Sequence, residues 1–392
     1  MSTLREQTKH YIHYVLTGLV VLTAAGALFL QHDTKKIQQQ MVVVPVVETM
    51  PVPQVALPNE PEVVETFHQP IPESVKGIYV SGWVAGTTSS MNRIFALLDS
   101  TSANAVIIDI KDATGRLSYQ PRDPELQKIG VGTNRIKDLE GLIKRLHDKQ
   151  IYVIGRVAVF QDPYFAIKNP DSAFKDTRTG LAWHDNKGLA WLRTNDQATW
   201  DYTVSIARDA YVQGFDEINL DYVRFPSDGP LAYLDKTQIT KSRPETVRDF
   251  FVYMDEKIRK ESSIPLSADI FGLAASATGD LGIGQILEYI APHVDYLAPM
   301  VYPSHFAKGS YGIADPASAP YAVIFRSMSD AVKKMIAIGE DPHKLRPWLQ
   351  DFDLGAVYTA ELVRAQITAT TDAGLDSWMM WDPRNVYTKG AF

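Results

Sequence analysis

The feature that most constrains this chain is an alternation. From Gly77 onward, short runs of β-branched and aromatic residues take turns with longer amphipathic stretches. The runs are GIYVSGW (Gly77 to Trp83), AVIIDIKD (Ala105 to Asp112), IYVIGRVAVF (Ile151 to Phe160) and FDEINLDYVRF (Phe215 to Phe225). They continue with PLSADIFG (Pro265 to Gly272), VDYLAPMVYP (Val294 to Pro303), LRPWLQDF (Leu345 to Phe352) and SWMMWDP (Ser377 to Pro383), eight in all. Intervening stretches such as RIKDLEGLIKRLHDKQ from Arg135 and ATWDYTVSIARDAYVQ from Ala198 space apolar residues by three and four, the helical period. Eight strand–helix units predict an α/β protein with parallel strands closed into a (β/α)8 TIM barrel. An open doubly wound sheet is the alternative. It would carry a glycine-rich phosphate loop after its first strand, and GWVAGTTSS has neither of the required glycine spacings.

Ahead of the barrel, YVLTGLVVLTAAGALFL (Tyr14 to Leu30) carries no charge and sits at the lower length limit of a membrane-spanning helix. Arg5 and Lys9 precede it, and the next basic residues are Lys35 and Lys36, a slight and mainly positional bias that places the N-terminus inward. A cleaved signal peptide competes through Ala24, Ala25, Gly26 and Ala27, but Leu28, Phe29 and Leu30 prolong the apolar run and favour a retained anchor. Next comes a segment rich in Pro, Val, Gln and Glu, whose repeated prolines favour extended geometry. The expected organisation is a cytoplasmic N-terminus (1–13), a transmembrane anchor (14–30), an extended linker (31–74) and the barrel (75–392), held outside the cytoplasm by one pass.

Two features of composition narrow the function. A net charge of −7 without long Lys/Arg runs argues against nucleic acid as a partner. The chain has no cysteine, which removes disulfides, thiolate metal sites and a thiol nucleophile together. No Ser occupies a GxSxG turn, and His184 and His305, the histidines in loops after strands, lack metal-ligand spacing. No metal or cofactor is expected, and nothing in the sequence bears on oligomeric state.

In a barrel of this kind, chemistry sits at the C-terminal ends of the strands. Polar residues gather there. In GFDEINLDYVRFP, Glu217, Asn219 and Asp221 alternate, so they share one face of an extended strand with Asp221 nearest its exit. Asp221 is the first catalytic candidate, against the plainer reading of a buried network that sets register, with Arg224 neutralising the charge. Asp269, near the end of the adjacent strand, is the second, though it could equally cap a helix. Asp351 is held in reserve. Trp83, Tyr222, Tyr302, Trp348 and Trp381 offer flat faces on which a sugar ring could stack, and Asp112, Arg156, Arg224 and Asp382 could bind its hydroxyls. Barrel-packing aromatics would read the same way, and Asp112 could be a turn residue. The loop HDNKGLAWLRTND is a further candidate for a cleft wall.

The stretches VKGIYVSGW, NAVIIDIKDATGRLSY, GFDEINLDYVRFP, YLAPMVYPSHF and SWMMWDPRNVYT together resemble a bacterial barrel family similar to glycoside hydrolases, long catalogued as a domain of unknown function. The resemblance spans nearly everything from Val75 onward. It implies an α/β barrel with its catalytic acid on the fourth strand, here Asp221. More loosely, GFDEINLDYVRFP is similar to the fourth-strand motif of chitinase-type glycosidases, Asp-x-x-Asp-x-Asp-x-Glu. Asp216, Asn219 and Asp221 fall on the three aspartates, but Val223 falls on the glutamate, so chitinase chemistry lacks its acid.

The expected function is hydrolysis of a polysaccharide of the cell envelope or extracellular space by two carboxylates, Asp221 ionised and Asp269 protonated. A barrel that binds carbohydrate without turning it over is the alternative. A deacetylase or metal-dependent hydrolase would want clustered His and Asp ligands, which the sequence does not show.

Overall fold

Each of the eight predicted runs contains a strand in the computed structural model, which describes residues 68–392. The strands are β1 (Lys76–Val80), β2 (Ala105–Lys111), β3 (Tyr152–Ala158), β4 (Glu217–Asp221), β5 (Leu266–Phe271), β6 (Tyr296–Met300), β7 (Trp348–Gln350) and β8 (Trp378–Trp381). All neighbouring pairs are parallel, and β1 pairs with β8, so the sheet closes as a barrel. The proposed anchor and most of the linker lie outside the described residues. Among the described residues, no helix is long and apolar enough to cross a membrane.

Side-chain alternation builds two apolar layers. Outward-facing residues such as Val106, Ile108, Val153, Ile218, Leu220 and Leu349 pack against the helices. Inward-facing Tyr79, Ala105, Ile107, Tyr152, Ile154, Ala298, Trp348 and Met379 fill the barrel. Several helices begin where short polar side chains accept from free backbone N–H groups. Asp196 caps the helix Gln197–Val212 through Thr199 N, and Ser242 with Glu245 forms a capping box at Arg243–Met254. The helical pattern read from Arg135 starts only at Leu139, because Asp138 accepts from Gly141 N at 2.9 Å and sets the boundary there.

Two departures affect the site. GIYVSGW is not strand throughout: β1 ends at Val80, and Ser81 caps a short helix, Gly82–Ala85, by accepting from Val84 N at 3.3 Å. Residues 68–74, expected as the last part of the linker, are bonded to the lower end of the barrel. Gln69 N donates to Asp216 Oδ1 at 2.8 Å, and His68 stacks on Tyr211 with centroids 3.9 Å apart.

Candidate active site

The interior of the barrel is polar at both ends. At the lower end Glu217 Oε2 accepts from Arg346 Nη1 at 2.8 Å and from the Tyr152 hydroxyl at 3.2 Å. The Arg346 guanidinium also lies over the Tyr296 ring, 3.1 Å from its centroid. This pair is balanced, one charge against one.

The upper end is not balanced. Asp109 of β2, Arg156 of β3 and Asn219 of β4 are successive Cα partners, with Asp221 two residues further along β4. Arg156 donates from Nη1 to Asp109 Oδ1 at 2.5 Å, from Nη2 to Asp221 Oδ2, and from Nε to Asp269 Oδ2 at 3.4 Å. Three carboxylates therefore share one buried guanidinium. Asp109 Oδ2 also accepts from the Tyr79 hydroxyl at 2.5 Å. Asp269 Oδ1 accepts from Trp348 Nε1 at 2.8 Å and from Asn219 Nδ2 at 3.0 Å. Burial, then the neighbouring Asp221, pushes the Asp269 carboxyl up to about 7, against the opposing pull of Arg156. Burial also raises the Asp109 carboxyl, with Arg156 and the Tyr79 hydroxyl opposing it. Asp221 Oδ1 accepts from Tyr222 N at 2.5 Å, and Tyr222 takes a left-handed φ of 56° to make the turn. A non-glycine residue held there costs on the order of 1–3 kcal/mol, a strain that clusters at functional sites.

This cluster opens upward into a cleft of roughly 570 Å³. Of the side chains singled out in the sequence, Asp221, Asp269, Asp112, Arg156, Tyr222, Arg224, Tyr302 and Trp381 line it. Trp381, which lines the cleft, stacks on Tyr79 at 3.8 Å and has the Arg156 guanidinium 5.1 Å from its ring. Arg224 does not neutralise Asp221 directly. It donates to Phe225 O and Ser227 Oγ and is held between the rings of Trp191 and Phe271, while burial lowers its proton affinity. Asp112 both lines the cleft and pairs with Arg135 at 2.6 Å.

Four assignments need correction. Trp83, carried away from the strand by the Ser81 cap, is 65% exposed and pairs with Arg135 outside the cleft lining. Trp348 is fully buried, so it offers a sugar no face and instead donates its indole N–H to Asp269. Asp351 accepts from Thr388 N and Oγ1, both at 2.7 Å, and does not line the cleft. Its carboxyl is raised to about 6 by burial. Asp382 is fully buried and accepts from Arg384 N at 2.5 Å, the work of a turn residue. The loop after β3 contributes wall support rather than sugar platforms, since Trp183 and Trp191 are buried and Trp191 packs edge-on to Tyr222 at 6.2 Å.

Asp109 was missed in the sequence. Its signal was present: among AVIIDIK it is an acidic residue inside an apolar run, on the same face as Ala105 and Ile107. Lys111 would share that face, but the register shifts between Asp109 and Lys111. Lys111 instead pairs with buried Asp162 at 2.6 Å and donates to Ala158 O at 2.5 Å. Among the described residues, no group of three or more His, Asp or Glu side chains is arranged to hold a metal ion.

Residues 77–387 match the family described as "Putative glycosyl hydrolase domain". The chain belongs to this family. Among solved structures, the glycoside hydrolase domain of PgaB (BpsB) from Bordetella bronchiseptica superposes with a TM-score of 0.57 at 13% identity, covering 80% of this chain and 95% of that one. The C-terminal domain of a "putative chitinase" from Desulfitobacterium hafniense DCB-2 gives 0.52 at 10% identity, covering 81% and 96%. A hypothetical protein from Ruminiclostridium thermocellum ATCC 27405 is 33% identical over 49% of this chain and 96% of its own, with a TM-score of 0.45. No curated protein matches the chain. The structural likenesses concern the barrel fold. Within this glycosyl hydrolase family fold, Val223, which aligns with the chitinase-type glutamate, is fully buried in the layer outside the barrel. The left-handed turn at Tyr222 separates it from the strand that carries Asp221.

Proposed function

We propose that this barrel hydrolyses glycosidic bonds in a polysaccharide of the cell envelope or extracellular space, with Asp221 as the ionised group and Asp269 as the general acid. The observation that carries this reading is the charge imbalance at the cleft floor: Asp109, Asp221 and Asp269 share Arg156. One guanidinium cannot compensate three ionised carboxylates in a buried site, so at least one proton is retained there. Asp269, raised to about 7, is the group suited to hold it. Asp221 accepts from fixed N–H donors on both oxygens, which suits the ionised partner. Trp381 and Tyr302 supply aromatic surface beside the carboxylates.

The decisive measurement is reducing-sugar release from envelope polysaccharides by wild type and by Asp221→Asn. The substituted protein should lose at least about a hundredfold in kcat. Retention of kcat within a few-fold would remove Asp221 from the mechanism.

Two observations favour a second reading, a carbohydrate-binding barrel without turnover. The chitinase-type acid position is Val223, buried away from the cleft, and Arg156 already engages all three carboxylates. Glycan binding by wild type with no sugar release under any condition would select that reading. The barrel is further proposed to work outside the cytoplasm, tethered by residues 14–30, on the strength of that uncharged run. Protease accessibility in spheroplasts tests the placement. Protection of the barrel until the cells are lysed would rule it out.

A further inference from the structure

Beside the charged cleft lies a second cavity of roughly 600 Å³. The two share a wall made of Phe271, Met300, Tyr302 and His305. Their chemistry differs sharply. The cleft is floored by Asp109, Arg156, Asp221 and Asp269, whereas no Asp, Glu, Lys or Arg lines the second cavity. Phe271, Leu273, Leu281, Met300 and Phe306 dominate its surface. Leu273 and Leu281, 46% and 38% exposed, continue that surface to the solvent.

The cavity is built by the loops after β5 and β6, and these are joined. The Ser276 and Tyr311 hydroxyls are hydrogen-bonded at 2.6 Å, and Tyr311 packs against Phe306 with centroids 5.7 Å apart. At its base Gly272 allows a backbone approach that no side chain would, because a Cβ there would lie 2.3 Å from Met300 O. This bond and this close approach fix the two loops against each other around the compartment.

We infer that the substrate is a glycan carrying an alkyl or acyl chain, whose sugar occupies the carboxylate cleft while the chain lies across Phe271 and Met300 into this apolar compartment. The inference rests on the glycosidase reading of the cleft and specifies its substrate class. An unsubstituted polysaccharide would present hydroxyls on every ring, and a compartment whose polar side chains are only Tyr302, His305 and Ser310 would strip more of their water than it replaces with hydrogen bonds. A hydrocarbon chain loses nothing there, and each buried methylene strengthens binding. The four lining residues it shares with the cleft distinguish this cavity from an isolated apolar patch and assign it to the same ligand.

The test compares methyl and octyl glucosides, galactosides and N-acetylglucosaminides, all below their critical micelle concentrations. Binding to the full-length protein is measured by calorimetry, and turnover by sugar release. For at least one head group the octyl compound should bind at least about tenfold more tightly than the methyl compound, given several added methylenes. In Leu273→Asp and Ala307→Trp, which charge and fill the compartment, that ratio should fall toward one. Equal affinities for methyl and octyl compounds would overturn the inference and leave the glycosidase reading intact. So would a chain-length preference unchanged in both variants, since the chain would then bind elsewhere. A chain-length preference that the variants abolish, without release of any sugar, would uphold the apolar compartment while the proposed hydrolysis failed.

Discussion

The two ends of the barrel interior each bury an arginine against carboxylate, yet they solve different problems. At the lower end Arg346 meets one carboxylate, Glu217, which also accepts from Tyr152. At the upper end Arg156 meets Asp109, Asp221 and Asp269 beneath an open cleft. A one-to-one pair sealed inside the barrel fixes register between β3, β4 and the residues before β7. Three acids on one base leave a proton to be held and a charge to be shared, the condition under which a carboxyl can give up a proton near neutral pH.

The largest expected effect separates the two ends. Glu217→Gln strands the buried Arg346 charge and should destabilise the fold by about 3–5 kcal/mol, read as a lowered midpoint in urea. Its remaining folded molecules should keep their kcat. Asp221→Asn should do the reverse: Arg156 retains Asp109 and Asp269, so the stability loss is smaller, while activity collapses. Similar stability losses in the two variants would erase the proposed distinction.

The next effect is a pH dependence. The folded Asp269 carboxyl is raised to about 7 from 3.8, so between these values the folded protein holds a proton that the unfolded chain has released. Stability from this group is therefore greatest at low pH and falls as pH rises through that window, with a slope of up to about 1.4 kcal/mol per pH unit. Asn mimics the protonated acid. Asp269→Asn should match wild type near pH 4 and exceed it in thermal stability at pH 8, and wild-type kcat/KM should decline on the basic side near pH 7. A wild-type minus Asp269→Asn stability difference that stays flat from pH 4 to 8 would refute the shift.

A smaller effect probes what sets that value. Trp348 Nε1 donates to Asp269 and favours its ionised form. Trp348→Phe keeps most of the ring and deletes the donor, so the basic limb of kcat/KM should move upward by roughly one unit. No movement would mean that Trp348 only fills space.

Much of this architecture was legible because strand burial leaves a two-residue period. The eight runs, the ladder Glu217–Asn219–Asp221 and the acids at the ends of β4 and β5 all follow from it. What sequence could not resolve was direction and depth. Trp348 and Trp381 both face inward from neighbouring strands, but Trp348 opens β7 and Trp381 closes β8, so only Trp381 reaches the cleft, and Trp348 is sealed beneath it. Asp109 is marked by its place in an apolar run, but its depth depends on the register shift after it, a tertiary event with no local sequence mark. Asp351 and Asp382 sit at strand ends like Asp221, yet nearby donors, Thr388 and Arg384, claim them.

Trp83 gives the smallest expected effect and tests the same boundary from outside. Its ring lies beside the Arg135 guanidinium, 4.8 Å away, and Arg135 in turn pairs with Asp112 on the cleft rim. An exposed cation–aromatic contact of this kind contributes only about 0.5–1 kcal/mol. Trp83→Ala should therefore leave kcat unchanged and alter KM by no more than a few-fold, through looser positioning of Arg135 and Asp112. Arg135→Ala, which frees Asp112 directly, should match or exceed that shift. A large KM increase in Trp83→Ala alone would mean that the tryptophan meets the sugar itself, and the boundary of the site would then have to move outward past the Ser81 cap.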